Sequence, residues 1–374
     1  MINEKYKTIM DSFELPNGVK LKNRVVMAPM TNYSSNADGT VSDTEVAYYI
    51  RRSKGVSMVI TACTYVTANG QGFPGEFAGH KDEMIPSLQR LATSIKSEGA
   101  KAILQIFHGG RQVPANLVPN GDVVSASNVP SEGTDKPVPR ALTTEEVESI
   151  ILDFGQATRR AIEAGYDGVE IHGANTYLIQ QFFSPHSNRR NDRFGGSLEK
   201  RMTFPLAVVD EVQRIVKEHA KEPFIVGYRF SPEEPETPGI TMADTLVLID
   251  ALANKNLDYL HVSLGDFWSP PRRGVDDNRS RMEIIQEKVG DRVPVIGVGS
   301  IYSSEDARKA LTSGVPLIAL GRELLIDPDW VQKIEQGKDD EIVTQLDTSM
   351  QEQLVIPDPL WQAILRNPGW VPGV

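Results

Sequence analysis

The 374-residue sequence has one cysteine, Cys63, and no apolar run that approaches the roughly 18 residues of a membrane span. One cysteine cannot form an internal disulfide, and one thiolate cannot by itself build a structural zinc or iron–sulfur site. The six histidines lack the H-x-H and H-E-x-x-H spacings, so no metal site is predicted. The first residues contain no apolar core of signal-peptide length. We therefore expect a cytoplasmic protein without a membrane anchor.

Positive charge is also scarce. Lys and Arg total 39 against 50 Asp and Glu, which gives a net charge of −11 at pH 7. Such a chain repels a phosphate backbone, so nucleic acid is not an expected partner. The expected partner is a small-molecule substrate. The G-x-G-x-x-G fingerprint of a dinucleotide-binding Rossmann half is missing as well.

Short β-branched runs alternate along the chain with stretches of helical apolar spacing. There are eight runs, at residues 24–27, 57–61, 102–106, 168–171, 224–228, 259–262, 293–298 and 317–320. Eight strand–helix units favour an α/β fold of the (β/α)₈ TIM-barrel type over a doubly wound pair of domains, which remains the alternative. We expect one barrel domain over residues 1–352, and a proline-rich C-terminal extension over 353–374 that packs on the barrel or on a neighbouring subunit.

Local signals place several other elements. Thr143 and Glu146 form a predicted capping box for a helix that Gly165 ends. Residues 198–216 are helical in pattern, although Pro205 predicts a kink or a late start. An Asn-Gly hairpin over residues 13–21 is expected to close the bottom of the barrel. The proline-interrupted stretch 108–142 is too long for a connector and predicts a lid over the top face.

Polar residues concentrate after the predicted strands, where barrels of this type carry their catalytic groups. They are Ala28 to Tyr33 after the first strand, Gln105 and His108 to Arg111 around the end of the third, His172 to Tyr177 after the fourth, and Arg229 after the fifth. Gly297 to Ser300 and Gly321-Arg322 follow the last two strands, where barrels commonly bind phosphate. The alternative is that these glycines merely make tight turns.

Together these segments resemble the Old Yellow Enzyme family of flavin-dependent ene-reductases. The resemblance rests on residues 21–30, Gln105 with 108–111, 172–177, 184–197 and 321–324. It implies a barrel that binds FMN without a covalent bond at its top face, with NAD(P)H as a transient hydride donor.

The resemblance also assigns site residues. The implied contacts to the isoalloxazine ring are Pro29, Met30, Thr31, Ala62, Gln105 and Arg229. The implied contacts to the phosphate are Gly299, Ser300, Gly321 and Arg322. His172 and Asn175 are expected to bind a substrate carbonyl, Tyr177 to donate a proton, and Tyr33 to line the substrate pocket.

General chemistry agrees with these roles. Reduction of an activated alkene builds negative charge on the conjugated oxygen, and two N–H donors three residues apart can stabilise that charge if the chain turns helically between them. A tyrosine with an ordinary pKa of about 10 is protonated at neutral pH and can act as an acid.

The family features are mixed in this chain. One subgroup has a cysteine where this chain has Thr31 and two histidines where it has His172 and Asn175, yet shares a tyrosine like Tyr33. In some relatives a C-terminal arginine reaches the neighbouring subunit's site, and Arg366 is its possible counterpart in a homo-oligomer.

The leading hypothesis is an FMN enzyme that oxidises NAD(P)H and reduces C=C bonds of α,β-unsaturated carbonyl or nitro compounds. A second is an NAD(P)H:quinone or flavin reductase, or an NADH oxidase, with no alkene substrate. A third is a non-catalytic barrel that binds a phosphorylated ligand.

Overall fold

The computed structural model describes residues 2–134 and 136–374, and eight parallel strands form its centre. They are β1 (Val25–Met27), β2 (Met58–Ile60), β3 (Lys101–Phe107), β4 (Gly168–Gly173), β5 (Ile225–Phe230), β6 (Tyr259–Val262), β7 (Val295–Val298) and β8 (Leu317–Leu320). Each strand pairs with the next along the chain, and β8 pairs with β1. The sheet is therefore a closed barrel, which confirms the predicted TIM-barrel fold.

Helices surround the barrel between successive strands. The outer ring consists of α1 (Asp43–Ser53), α2 (Ile85–Ser97), α3 (Thr144–Glu163), α4 (Thr203–His219), α5 (Met242–Leu252), α6 (Arg281–Val289), α7 (Ser304–Thr312) and α8 (Trp330–Gln336). Additional helices are Leu178–Phe183, Leu198–Arg201, Arg322–Ile326, Gln351–Leu354 and Asp358–Leu365. Short 3₁₀ turns are Glu4–Met10, Ala68–Gly70, Asp82–Met84, Gly110–Gln112, Ala115–Leu117, Pro119–Gly121, Gly290–Arg292 and Asp339–Glu341. None of the described helices has the length and apolarity needed to cross a bilayer.

Two helix starts follow directly from local chemistry. Thr143 Oγ1 accepts from the Glu146 N–H at 3.2 Å, and the Glu146 carboxylate accepts from the Thr143 N–H at 2.7 Å, which completes the predicted capping box of α3. The segment 198–216 divides into two helices, and Pro205 lies in the first turn of α4. The missing proline N–H therefore removes no helical hydrogen bond, because the first turn has none to lose.

The bottom of the barrel is closed by an apolar floor. Phe13–Glu14 and Lys20–Leu21 pair as the predicted hairpin, and Leu15 and Leu21 pack against inward residues of the strands. The Asn17 N–H of the turn donates to Asp258 Oδ1 at 3.2 Å. Polar chemistry inside the barrel is thus confined to its middle and upper layers.

The long insertion after β3 lies at the top of the barrel. Its described residues, 108–134 and 136–142, include 3₁₀ turns and a two-stranded pair, Val124–Ser125 with Arg140–Ala141. Ser125 Oγ donates to Gln181 Oε1 at 2.9 Å, and the Leu178 N–H donates to the His108 carbonyl at 3.0 Å, which ties the insertion to the helix Leu178–Phe183. A further short strand, Thr64–Tyr65, pairs with β3 at the same end.

The C-terminal tail packs on its own barrel. Arg52 Nη2 donates to the Leu354 carbonyl at 2.7 Å, the Leu346 N–H donates to the Pro372 carbonyl at 2.7 Å, and Val371 is buried. Arg366 lies exposed on the tail, and its role between subunits stays a prediction. The division of the chain at residues 352/353 also stays a prediction.

Substituting Gly227 with alanine should cost about 3 kcal/mol of folding free energy, because a Cβ there would overlap the Tyr259 ring that lies across β5. Urea denaturation of Gly227→Ala, Tyr259→Ala and the double variant measures this cost. Since Tyr259→Ala removes the ring, the double variant should lose less stability than the two single variants together. Additive losses would contradict the proposed overlap.

Candidate active site

A cavity of about 330 Å³ opens at the top of the barrel beside the ends of β7 and β8. Its walls include most of the residues predicted to bind a cofactor: Pro29, Met30, Arg229, Gly299, Ser300, Gly321 and Arg322. Trp370 of the C-terminal tail forms part of the same wall. The fold therefore brings together strand ends that are nearly 300 residues apart in the sequence, with Pro29 and Arg322 on one cavity.

One end of the cavity is built around a cationic side chain. Arg322 Nη2 donates to Ser300 Oγ at 2.9 Å, and Nη1 donates to the Trp370 carbonyl at 3.0 Å. The backbone is left-handed at Ser300, with φ 52°, and glycine is required at Gly299, where φ is 129° and a Cβ would approach the Phe267 nitrogen to 2.7 Å. A fixed guanidinium beside a tight turn suits a phosphate group.

The other end holds a buried cation without a hydrogen-bond partner. Arg229 is 8% exposed, and its guanidinium makes no hydrogen bond within the part of the chain that the structure describes. Burial lowers the pKa of Arg229, and the nearby Glu170 carboxylate opposes this effect. An arginine retains its proton in proteins, so these donors are available to an acceptor inside the cavity.

Cys63 and Ala62 follow β2, and neither offers a free reactive group to the cavity. Cys63 is buried, and burial, followed by the nearby Glu76 carboxyl, raises the pKa of its thiol well above normal. Cys63 is therefore a neutral packing residue. The Ala62 N–H donates to Tyr49 Oη at 2.7 Å, so it is already satisfied by the protein.

His172 presents one free ring nitrogen. Its Nδ1 accepts from the Ala174 N–H at 3.4 Å, so in the neutral ring the proton lies on Nε2. Burial, and then the positive Arg229, lower the pKa of His172 well below normal, which keeps the ring neutral. The result is an Nε2–H donor with no partner among the described residues.

Asn175 presents a second donor. Ser263 Oγ donates to Asn175 Oδ1 at 2.7 Å, and the Nδ2 amide hydrogens have no partner within residues 2–134 and 136–374. The turn that carries Asn175 is left-handed at two consecutive residues, with φ 56° at Asn175 and 66° at Thr176. The helical turn considered from the sequence is therefore wrong, and the Asn175 N–H is held by Ser231 Oγ at 2.9 Å instead.

Tyr177 lies against His172 within an aromatic wall. Its ring centroid is 5.1 Å from that of His172 and 4.9 Å from that of Phe107, both edge to face. Burial, followed by Cys63 and Glu76, raises the pKa of Tyr177 well above its ordinary value, so the phenol is protonated at neutral pH. Phe73 joins the wall between Tyr177 and Tyr33, whereas Trp268 lies outside it in a separate groove.

The comparisons with known proteins agree with this geometry. A family model described as NADH:flavin oxidoreductase / NADH oxidase family matches residues 11–341. The chain belongs to this family, the Old Yellow Enzymes.

It is 55% identical to the "Probable NADH-dependent flavin oxidoreductase YqiG" of Bacillus subtilis (strain 168), over 99% of both chains. It is 44% identical to the "NADH:fumarate oxidoreductase" of Klebsiella pneumoniae (strain 342), covering 95% of this chain and 38% of that one. The solved old yellow enzyme homologue from Zymomonas mobilis has a TM-score of 0.76 at 26% identity, covering 88% of this chain and 92% of that one.

The protein is thus an oxidoreductase that uses FMN, with NAD(P)H as hydride donor. The residues present fit this cofactor, because the cavity offers the unpartnered Arg229 donors at one end and the Arg322 guanidinium at the other. Membership of an enzyme family sets aside the non-catalytic barrel.

Sequence reasoning missed three residues at this Old Yellow Enzyme site. Glu170 precedes His172 by two positions, and period-two alternation along a strand places both on the inner face of β4. Its hydrogen-bond partner His261 lies on the inner face of β6. Trp370 had no local signal, since its place on the cavity depends on how the tail folds back.

Replacing Trp370 with alanine should raise the FMN dissociation constant about tenfold, because the cavity loses an apolar wall worth about 1.4 kcal/mol. FMN titration followed by flavin fluorescence measures the change. Trp268→Ala is the matched control, since Trp268 is 43% exposed and borders a different groove. Equal FMN affinity in the Trp370→Ala variant and the wild type would contradict this placement.

Proposed function

We propose that this Old Yellow Enzyme reduces activated C=C bonds of α,β-unsaturated carbonyl or nitro compounds. The observation that supports this most directly is the pair of unpartnered donors, His172 Nε2 and Asn175 Nδ2, beside a protonated Tyr177. Two hydrogen-bond donors and one acid are the groups needed when charge develops on an oxygen and a carbon must be protonated.

The proposal assigns the cofactor contacts to residues around the cavity. Arg322, Ser300, Gly299 and Gly321 hold the FMN phosphate. The ring contacts are Arg229, Gln105, Thr31, Pro29, Met30 and the Ala62 backbone. The Ala62 carbonyl accepts from Thr61 Oγ1 at 2.9 Å and keeps its second lone pair for the ring. Bound FMN supplies two-electron chemistry between NAD(P)H and an acceptor.

The protein's own groups then act on the substrate. His172 and Asn175 bind its conjugated oxygen and stabilise the negative charge that develops there. Tyr177 Oη gives its proton to the α-carbon, and the aromatic wall that includes Phe73, Phe107 and Tyr33 excludes water from this region. Because His172 is neutral, it stabilises the oxygen by hydrogen bonding without giving up a proton in competition with Tyr177.

The relatives support a conjugated alkene as acceptor. The Klebsiella pneumoniae relative is named for fumarate, an alkene conjugated to two carboxylates. The second hypothesis is a quinone or flavin reductase or an NADH oxidase, and it is favoured by the words "NADH oxidase" in the family description. Electron transfer to a quinone or to oxygen needs no carbon acid such as Tyr177, so the two functions can be separated by experiment.

Removing both oxygen-binding donors should weaken enone binding about a hundredfold, because each lost hydrogen bond lowers the affinity about tenfold. The His172→Ala/Asn175→Ala variant is reduced photochemically without oxygen and titrated with 2-cyclohexenone while the flavin absorbance is followed. It should retain FMN. The control is His219→Ala/Asn254→Ala, a matched pair at exposed positions. Unchanged reoxidation by the enone would refute the assignment.

Tyr177→Phe should separate the two candidate functions. Without the phenol, reoxidation of the flavin by 2-cyclohexenone should fall by at least about a hundredfold, whereas reoxidation by a quinone should persist. If both acceptors react as in the wild type, Tyr177 is not the acid. If the wild type itself reacts with quinone and not with the enone, the second hypothesis holds.

The rate of flavin reoxidation by the enone should be independent of pH between about 6 and 9. Tyr177 has a raised pKa and stays protonated as the pH rises, while His172 has a lowered pKa and stays neutral as the pH falls. Stopped-flow measurement across this range checks the expectation. A titration of the rate within it would show that one of the two groups is not shifted in the stated direction.

A further inference from the structure

Glu170 is a fully buried carboxylate inside the barrel to which the proposed reaction gives no role. It is 0% exposed and lies on the inner face of β4. Its Oε1 accepts from Gln105 Nε2 at 2.7 Å, and its Oε2 lies 2.8 Å from His261 Nδ1. One carboxylate therefore connects a predicted flavin contact on β3 to a histidine on β6.

The hydrogen bonds around Glu170, together with the pKa shifts, indicate which of these groups are charged. Burial would raise the pKa of Glu170, but the hydrogen bonds with His261 and Gln105 and the positive Arg229 outweigh burial and hold it below its usual value. Burial lowers the pKa of His261 despite the carboxylate, so its ring is neutral and Nδ1–H donates to Glu170. Glu170 is ionised and His261 is not.

Arg229 is the cation that this carboxylate faces. In the pairing of β4 with β5, Glu170 lies beside Gly227 and His172 lies beside Arg229. Arg229 is therefore one inward-facing layer above Glu170. The other acidic groups acting on Arg229 are Cys63, Tyr177 and Tyr259, and burial raises the pKa of all three well above normal. Among the described residues, Glu170 is thus the ionised acid that offsets the Arg229 charge.

We propose that Glu170 is a positioning residue that lowers the reduction potential of the bound flavin by offsetting Arg229, and that it fixes Gln105 against the cofactor. Reduction adds negative charge to the flavin region. Arg229 alone would stabilise that charge strongly in a dry interior, and a carboxylate in the next layer down opposes it. The proposal rests on FMN binding and is independent of the acceptor.

The test is the flavin midpoint potential of Glu170→Gln, measured by equilibration with a redox dye and without an alkene. Glutamine keeps the shape and an acceptor for Gln105 but removes the charge. The ratio of reduced to oxidised flavin at a given ambient potential should rise at least tenfold, which is about 30 mV for two electrons. Glu170→Asp, which retains the charge, should stay closer to the wild type.

Asp258→Asn is the matched control. Asp258 is also a buried carboxylate, but it lies at the barrel floor, where it accepts from the Val226 and Asn17 N–H groups. Its loss should cost stability without moving the potential. An unchanged potential in Glu170→Gln, or equal shifts in Glu170→Gln and Asp258→Asn, would overturn the proposal.

Glu170→Gln leaves Arg229 as an unpaired buried charge, which can prevent folding. Comparing Arg229→Gln/Glu170→Gln with the wild type at saturating FMN avoids this problem, because both buried charges are absent from the double variant. Its potential should stay close to that of the wild type, since two opposed charges are lost together. A potential far below that of the wild type would show that Glu170 offsets nothing and has only a structural role. Enone reoxidation plays no part in either comparison, so failure here is distinct from failure of the proposed ene-reductase activity.

Discussion

The closed ring of parallel strands is the constraint on which the rest of the structure depends. Because alternate residues of each strand face the barrel axis, the inner positions stack in layers from floor to rim. Ile103, Gln105 and Phe107 rise along β3 as Glu170 and His172 rise along β4. The apolar floor excludes water from below, so the charged and hydrogen-bonding residues above it act in a medium where electrostatic interactions are strong.

Within this frame, the site is characterised by polar groups whose partners lie on one side only. Hydrogen bonds hold Asn175 Oδ1 and His172 Nδ1, and the donor on the opposite side of each group has no partner in the part of the chain that the structure describes. The Glu170 carboxylate offsets the charge of Arg229 from below, and Arg229 has no hydrogen-bond partner among the described residues. Burying unpaired donors lowers the stability of the fold, and the favourable packing in the rest of the barrel offsets this loss. The same arrangement makes the donors ready for a cofactor and a substrate.

Much of the fold could be predicted from local sequence. The eight strands were found because their β-branched runs are short and buried, and the start of α3 because Thr143 and Glu146 satisfy each other's backbone groups. The polar segments after the strands, such as His172 to Tyr177, identified the family and therefore FMN. Their geometry was less accessible, since the left-handed turn at Asn175 and Thr176 depends on Ser231 and Ser263, which belong to other strand ends.

The sequence by itself determined the barrel, the family and the chemical types of residue at its rim, because strand periodicity, capping and short motifs are properties of neighbours along the chain. Only the tertiary structure decided the rest: that Trp370 closes the cavity beside Arg322, that the Ala62 N–H is taken by Tyr49, and that Glu170 meets Gln105 and His261. These contacts join residues far apart in sequence, and their energies arise from burial and charge in a space that exists once the ring of strands has closed.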